Sequence, residues 1–398
     1  MKKYIRSERV NLFEPNDYIA MIVKLSGKLS VREMQKAVYA AFNANETTMS
    51  RVVLEPDGTA YFEKMETTGC RFFDATLPWE KLVQNSERAC FSLNKGELVR
   101  IFLTEEAGQQ VLLIHAHHLV GDGKSILILL QDIISALNGQ LLTYKPMTSI
   151  DRTFLEQRAK LPLLTKLYIS SLNRKWKKQA KVFTWDDYYA IHQKYWEDNV
   201  SDIRFKICNF EKIKDNCPEN VSINSYLIAQ LLKEHPQCSV VGLPVSIRED
   251  NAMSNQVTGI EVNYRYDPQK PMEYNAGRIH RSIYKTLGSP LWKYFVLLFT
   301  QRLCPTLIDA VLLQSHGCFE NDFAAKMANI MGYTGDRSRD LGVTNLGRID
   351  IPSVHEKCVI HDILFVPPKV SYSKQVIGVS TYGNKLTISY HHMKKRRM

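Results

Sequence analysis

Two adjacent histidines, His117 and His118, three intervening residues, then Asp122 and Gly123 are the residues of this 398-residue chain whose types and spacing could carry chemistry. A neutral imidazole titrates close to working pH, so it can take the proton of a hydroxyl or amine as that group attacks. On average residue usage an HHxxxDG match arises by chance in roughly one chain in a thousand, so it weighs far more than a lone histidine. The motif ends the stretch VLLIHAHHLVGDG, residues 111–123. If 111–117 is a strand, alternation puts His115 and His117 on one face and Leu112, Ile114, Ala116 and His118 on the other. Only one histidine of the pair can then face a given cleft. Asp122 reads either as the acid of a His-Asp relay or as the N-cap of the helix that follows, and Gly123 as a tight turn into that helix.

The elements that must position these residues are legible on both sides. Tyr18–Leu25 is rich in aliphatic and β-branched residues and runs into Gly27, as a strand would. Ser30 and Glu33 have capping-box spacing, and Met34, Ala37, Val38, Ala41 and Phe42 recur as a buried helical face. Arg51–Leu54 and Ala60–Glu63 flank a Pro56-Asp57-Gly58 turn. Leu98–Thr104 and Gln110–His117 flank Glu105, Glu106, Ala107 and Gly108, so both pairs predict hairpins. Lys124–Leu137 is apolar nearly all round, which predicts a helix buried against a sheet. Residues 151–199 turn helix-forming and basic, with Arg174, Lys175, Lys177, Lys178 and Lys181 interleaved with Trp176 and Trp185. Beyond them the chain predicts a strand over Asp202–Phe210, a helix over Ser222–Glu234 and a buried strand over Cys238–Ile247. Leu291–Asn329 reads as helix broken at Pro305. Strands follow at Leu341–Asn345, Val359–Phe365, Val376–Tyr382 and Lys385–Tyr390, the last pair joined by a Gly383-Asn384 turn. The expected organisation is an α/β chain of mixed sheets: a first lobe over 1–170, a basic crossover over 171–200 and a second lobe over 201–398.

Composition narrows the function classes. Hydrophobic residues make up 44% and charged residues 23%, the balance of a folded globular protein rather than a disordered or fibrous one. The eight cysteines show no CxxC and no metal-type spacing, so no metal site and free thiols in a reducing compartment are expected. The amino terminus carries Glu8, Asn11, Glu14 and Asp17 where a signal peptide needs an apolar core. No apolar run approaches the ~20 residues of a membrane-crossing helix, so the expectation is a cytoplasmic protein with no membrane span. The net charge of +11 favours acidic or phosphorylated partners, but no nucleic-acid recognition motif accompanies it, so no nucleic acid is expected. Leu291–Phe299 is hydrophobic enough for a membrane surface but reads better as a core or channel-lining helix. His391 and His392 lack a following Asp and Gly and read as the end of the last strand. Residues 394–397 form a short basic tail.

The motif resembles that of the HHxxxDG acyltransferases, the superfamily of chloramphenicol acetyltransferase, alcohol acetyltransferases, plant acyl-CoA transferases and nonribosomal peptide synthetase condensation domains. NKGELVR (94–100) is similar to the lead-in of condensation-like proteins. LPVSIR (243–248) is similar to a second-lobe strand ending in arginine, and VTNLGRIDIP (343–352) to the NLG segment of alcohol acetyltransferase-like members. The resemblance covers most of the chain. It implies two chloramphenicol-acetyltransferase-like lobes meeting in a V, with the active-site channel between them. His118 would be the catalytic base and His117 would pack behind it. Asp122 would be structural, paired with Arg248. Thr344 and Asn345 would donate to an oxyanion or to substrate, unless their segment is only a strand before a Gly347 turn. The reaction implied moves an acyl group from acyl-CoA or a phosphopantetheinyl acyl carrier protein to an alcohol or amine, without an acyl-enzyme and with no tightly bound cofactor. The carrier protein would be a partner in trans. A catalytically inactive docking module for a carrier protein is the alternative. The DFGWG motif of the plant branch is absent, and the sequence stops at Met398 where many relatives continue into another helix.

Overall fold

Strand periodicity and two lobes organise the computed structural model, which describes residues 2–27, 29–179 and 181–396; of the basic tail, Arg397 lies outside them. The first lobe is built on a five-stranded sheet in the order Cys358–Val366, Tyr18–Gly27, Gln109–His117, Val99–Glu106, Arg71–Asp74. Its middle strand, Gln109–His117, is antiparallel to both neighbours, with Tyr18 opposite His117 and Val99 opposite Ala116. The Val99–Glu106 hairpin closes on Ala107 and Gly108, both at positive φ (51° and 75°), the backbone a two-residue primed turn demands. Alternation then sorts the side chains. Ala20, Ile22, Val111 and Leu113 pack on Trp79, Leu82 and Val83 of the helix Trp79–Arg88, while Met21, Val23, Leu112 and Ile114 join the main core. On that second face the helices Val31–Ala44 and Gly123–Leu137 lie against each other. Ser30 and Glu33 form the full capping box of the first of them.

The second lobe carries six strands in the order Val257–Asn263, Val240–Ser246, Arg339–Arg348, Ser373–Tyr382, Lys385–Lys395, Asn199–Asn209. Arg339–Arg348 runs parallel to both of its neighbours, and the remaining pairs are antiparallel. Ile223–Glu234 and Met272–Leu287 supply the helical side of this core, with Leu227, Ile228, Leu231, Ile279 and Ile283 buried. The α/β two-lobed architecture is thus present.

Several elements depart from the sequence expectations. The helical stretch over 291–329 breaks twice, giving Pro290–Thr300, Pro305–Ser315 and Asp322–Ile330; Gly317, at φ 67°, makes the second break. Arg71–Asp74, Trp79–Arg88, Val257–Asn263 and Met272–Leu287 are elements beyond those the sequence pattern predicts. Cys358–Val366 pairs with Tyr18–Gly27 of the first-lobe sheet although it lies late in the chain. The helix-forming stretch 151–199 is three helices, Arg152–Arg158, Leu163–Lys177 and Trp185–Asp198, of which the last two reach into the basic crossover. Trp176 is buried and its indole N–H donates to Thr306 Oγ1 at 2.8 Å, which fastens the helix and leaves Arg174, Lys175, Lys177 and Lys178 at the surface. His391 is buried in the last strand, with its imidazole nitrogens at the Pro367 carbonyl (2.9 Å) and Ser201 Oγ (3.1 Å). Among the described residues no single helix is long and apolar enough to cross a membrane.

Candidate active site

The motif sits where the central first-lobe strand stops. His117 is the strand's last residue and His118 opens a short 3-10 turn to Val120, so the paired histidines part company in backbone as well as by alternation. His117 is fully buried, packed edge-on against Tyr18 and Phe91. Its Nδ1 accepts from the Leu119 N–H at 3.2 Å, and burial beside His118, His192 and Arg100 depresses it to about 3. A histidine held neutral and packed away from solvent has no route to a substrate.

His118 is only partly buried and lines a cavity of about 310 Å³. Its backbone is held at both ends: the N–H donates to the Asp17 carbonyl at 2.9 Å, and the carbonyl accepts from Asn255 Nδ2 at 2.8 Å. Asn11 Nδ2 stands 3.4 Å from the ring's Nδ1. Burial lowers the ring below its ordinary 6.5, opposed by the negative charge of Asp122, by contact with the residue's own backbone carbonyl and by the Asn255 side chain. The cavity draws its walls from both lobes. Asp17, Ile19 and Gly123 come from the first; Leu243, Asn255, Thr258, Thr344 and Tyr372 come from the second. Val296, Leu297 and Thr300 also line it, so the helix Pro290–Thr300 forms part of the channel wall.

Asp122 does not relay to His118. Its Oδ1 accepts from the Ser125 N–H at 3.0 Å, capping the helix Gly123–Leu137, and from Arg248 Nη2 at 2.8 Å, while Oδ2 accepts from the Gln256 N–H at 3.1 Å. The N-cap and the arginine partner are therefore both present in one carboxylate. Arg248 also donates to the carbonyls of Ala252 (2.5 Å) and Ser254 (2.9 Å), so the pair ties the motif helix to the loop 248–256 that carries Asn255.

Gly123 differs from its expected role. The turn is made by Gly121, at φ 145° and with Ser125 and Ser254 N crowding the space a Cβ would take. Gly123 is instead a close-packing position: a Cβ there would stand 2.6 Å from Leu346 Cδ2 and 3.1 Å from Phe365. Gly123→Ala should cost about 1–3 kcal/mol through overpacking, read as a lower urea midpoint with an unchanged slope; a midpoint equal to the parent's would show that Leu346 simply moves aside.

Thr344 and Asn345 both line the cavity, on the strand Arg339–Arg348. Asn345 is occupied elsewhere: its Oδ1 accepts from the Gly347 N–H at 2.7 Å and its Nδ2 donates to Asn224 Oδ1 at 3.1 Å. Asn11, Asp17, Asn255 and Gln256 were not foreseen. Each is an ordinary polar residue at a turn or strand end, and only the fold gathers them around His118 and Asp122. Among the described residues no group of three or more His, Cys, Asp or Glu could hold a metal ion.

Residues 14–181 match the family model of the Condensation domain. The first condensation domain of the CDA synthetase superposes with a TM-score of 0.61 at 12% identity, over 97% of this chain and 87% of that one. Part of the first lobe is thus similar to a condensation domain, and the whole chain shares that domain's fold. The epimerization domain from the third module of tyrocidine synthetase B superposes with a TM-score of 0.62 at 13% identity, over all of this chain and 93% of that one. A Polyketide synthase-nonribosomal peptide synthetase of Aspergillus clavatus is 27% identical over 154 residues, 37% of this chain. That match spans 4% of the fungal protein, so the likeness is to a short segment of a much larger chain. The family model covers four of the five strands of the first-lobe sheet, the HHxxxDG turn and the helices Arg152–Arg158 and Leu163–Lys177, and the likeness in fold extends through the second lobe.

Proposed function

We propose that the chain transfers an acyl group from a thioester to a hydroxyl or amine, with His118 as general base and no covalent acyl-enzyme. One observation carries the reading: His118 lines the cavity between the lobes with its basicity lowered by burial, so at neutral pH the ring is neutral and can accept a proton. The acceptor's nucleophile attacks the thioester carbonyl while the His118 ring takes its proton, and the same proton goes to the departing thiolate. A tetrahedral oxyanion needs a donor. Thr344, which lines the cavity, is the donor favoured over Asn345, whose amide is bonded to Asn224 and Gly347. Asp122 and Arg248 are structural in this scheme. The donor is acyl-CoA or a phosphopantetheinyl acyl carrier protein in trans. The net charge of +11 attracts the phosphates of the one and the acidic surface of the other alike. The eight free thiols fit a cytoplasmic setting.

The test is thiol release from acyl-CoAs and from an acyl-loaded carrier protein, with pooled alcohol and amine acceptors. The parent should show acceptor-dependent release, and His118→Ala should lower kcat/KM by about 10²–10⁴-fold, the range of a lost general base. Because the ring is pushed below 6.5, its basic form persists under mild acidity, so the parent's rate should hold to below pH 6.5 and fall only on further acidification. A loss confined to His117→Ala would move the base to the other histidine. No release with either donor class would favour the docking module instead.

A further inference from the structure

Tyr18 pairs with His117 across the sheet, and its ring lies edge-on to His115 and His117 at 5.4 and 5.7 Å between centroids. Strand alternation turns the flanking residues, Asp17 and Ile19, to the other face, the one His118 looks onto. One register step beyond Tyr18 and His117, Asp17 stands opposite His118, joined to it by the 2.9 Å backbone hydrogen bond. Asp17 is 1% exposed and lines the same cavity as His118, yet neither carboxyl oxygen has a hydrogen-bond partner among the described residues. The capping and ion-pairing schemes that explain Asp122 and Arg248 leave this carboxyl without a use.

We propose that Asp17 is a second catalytic residue that receives the acceptor as an ammonium ion and takes its first proton, so that the acceptor of this chain is a basic amine. The proposal rests on the acyl-transfer reading above and deepens it. An ammonium has no lone pair with which to attack. At Asp17 one N–H bond breaks and an O–H bond forms, turning an ion pair into a neutral amine and a neutral acid, the form a poorly solvated cavity favours. The amine nitrogen then attacks the thioester carbonyl. As the C–N bond forms, His118 takes the second proton; as the C–S bond breaks, the thiolate receives it. The sum is ammonium plus thioester giving amide, thiol and one proton. That last proton is carried by Asp17 and leaves to water when the next ammonium arrives.

The surroundings suit the task. Burial, reinforced by Glu14, raises the Asp17 carboxyl well above the carboxylate range. Glu14 itself accepts from Ser371 Oγ at 2.6 Å and lies 3.4 Å from His316. Glu8, Lys124, Arg339, Tyr333 and Tyr372 share the cavity; Arg339 is paired with Glu261 at 3.3 Å, and among the described residues no cation is bonded to Asp17.

The experiment compares the parent with Asp17→Asn, which keeps the shape, and Asp17→Ser, on three acceptors at pH 7: an alkylamine, the matching alkanol, and a fluorinated alkylamine too weakly basic to be protonated there. With the alkylamine both variants should lose about 10²-fold in kcat/KM, the scale of a lost proton carrier, while transfer to the fluorinated amine stays near the parent's. The alkylamine defect should also shrink as pH rises towards that amine's own titration. Equal losses on all three acceptors would make Asp17 merely structural and overturn the proposal. So would an undiminished rate with the alkylamine, or a parent that uses only the alkanol; each of these leaves acyl transfer standing. Absence of thiol release from the parent with every acceptor defeats the transfer reading itself, and the proposal with it.

Discussion

Asp122→Ala should lower the unfolding free energy by about 3–5 kcal/mol, because it strands a buried guanidinium. Arg248 and Asp122 are both largely shielded from solvent and meet at 2.8 Å. The substitution also removes the helix cap on Ser125, a loss of ~1 kcal/mol by itself, and leaves the Gln256 N–H without its acceptor. Asp122→Asn retains an oxygen for one of these donors but no charge, so its defect should be smaller. Combining Asp122→Ala with Arg248→Met should be milder than the sum of the two single changes, since the second removes the charge that the first exposes; coupling in such cycles runs to about 0.5–3 kcal/mol. Denaturant unfolding of the four proteins measures it. Acyl transfer should fall as well, although Asp122 does not touch His118, because Arg248 holds the loop whose Asn255 accepts the task of fixing the His118 carbonyl. A strictly additive cycle would mean that the two lobes are not tied together through this pair.

What the sequence disclosed and what it withheld divide along physical lines. Local patterns were legible: the capping box at Ser30 and Glu33, the hairpin closed by Ala107 and Gly108, and the alternation that separates His117 from His118. These depend on residues within one or two turns of each other. Pairings made by distant segments were not. Cys358–Val366 reads as a strand, but nothing in nine residues says that its partner is Tyr18–Gly27 in the other lobe. The motif itself was found by residue type, yet its parts were assigned by local rules that the tertiary contacts override. Gly123 looked like a turn residue and is a packing contact with Leu346 and Phe365 from beyond residue 340. Asn345 lines the cavity as its segment suggested, but one of its amide N–H groups is bonded to Asn224, a contact no local pattern discloses. Asp17 was noted only as a charge unsuited to a signal peptide, because its distinguishing property, burial opposite His118 without a partner, exists only once two strands are in register.

Arg9 should prove the other residue whose loss the fold tolerates least. It is 0% exposed, as is Asp309 on the helix Pro305–Ser315, and the two meet side-on, Nε to Oδ1 at 2.7 Å and Nη2 to Oδ2 at 2.5 Å. Removing one member of a buried pair costs about 3–5 kcal/mol, since the other keeps its desolvation penalty without its compensation. The two single variants should nevertheless differ. In Arg9→Met the orphan is a carboxyl, which can escape by binding a proton: its folded-state pKa rises above the unfolded value, so the cost is small at low pH and grows as pH rises through that window. In Asp309→Leu the orphan is a guanidinium, which stays charged at any accessible pH and has no such escape. Unfolding free energies at pH 5 and pH 8 should therefore show the gap to the parent narrowing at pH 5 for Arg9→Met but not for Asp309→Leu. The double variant Arg9→Met/Asp309→Leu should recover much of the loss, as apolar replacements of buried pairs do. The same pair also bears on the site: Arg9 opens the short 3-10 turn Arg9–Asn11, and Asn11 faces the His118 ring at 3.4 Å. Acyl transfer by Arg9→Met should thus fall even at pH 5, where stability is largely retained, whereas a rate that follows the folded fraction alone would show that the pair anchors the core and not the base.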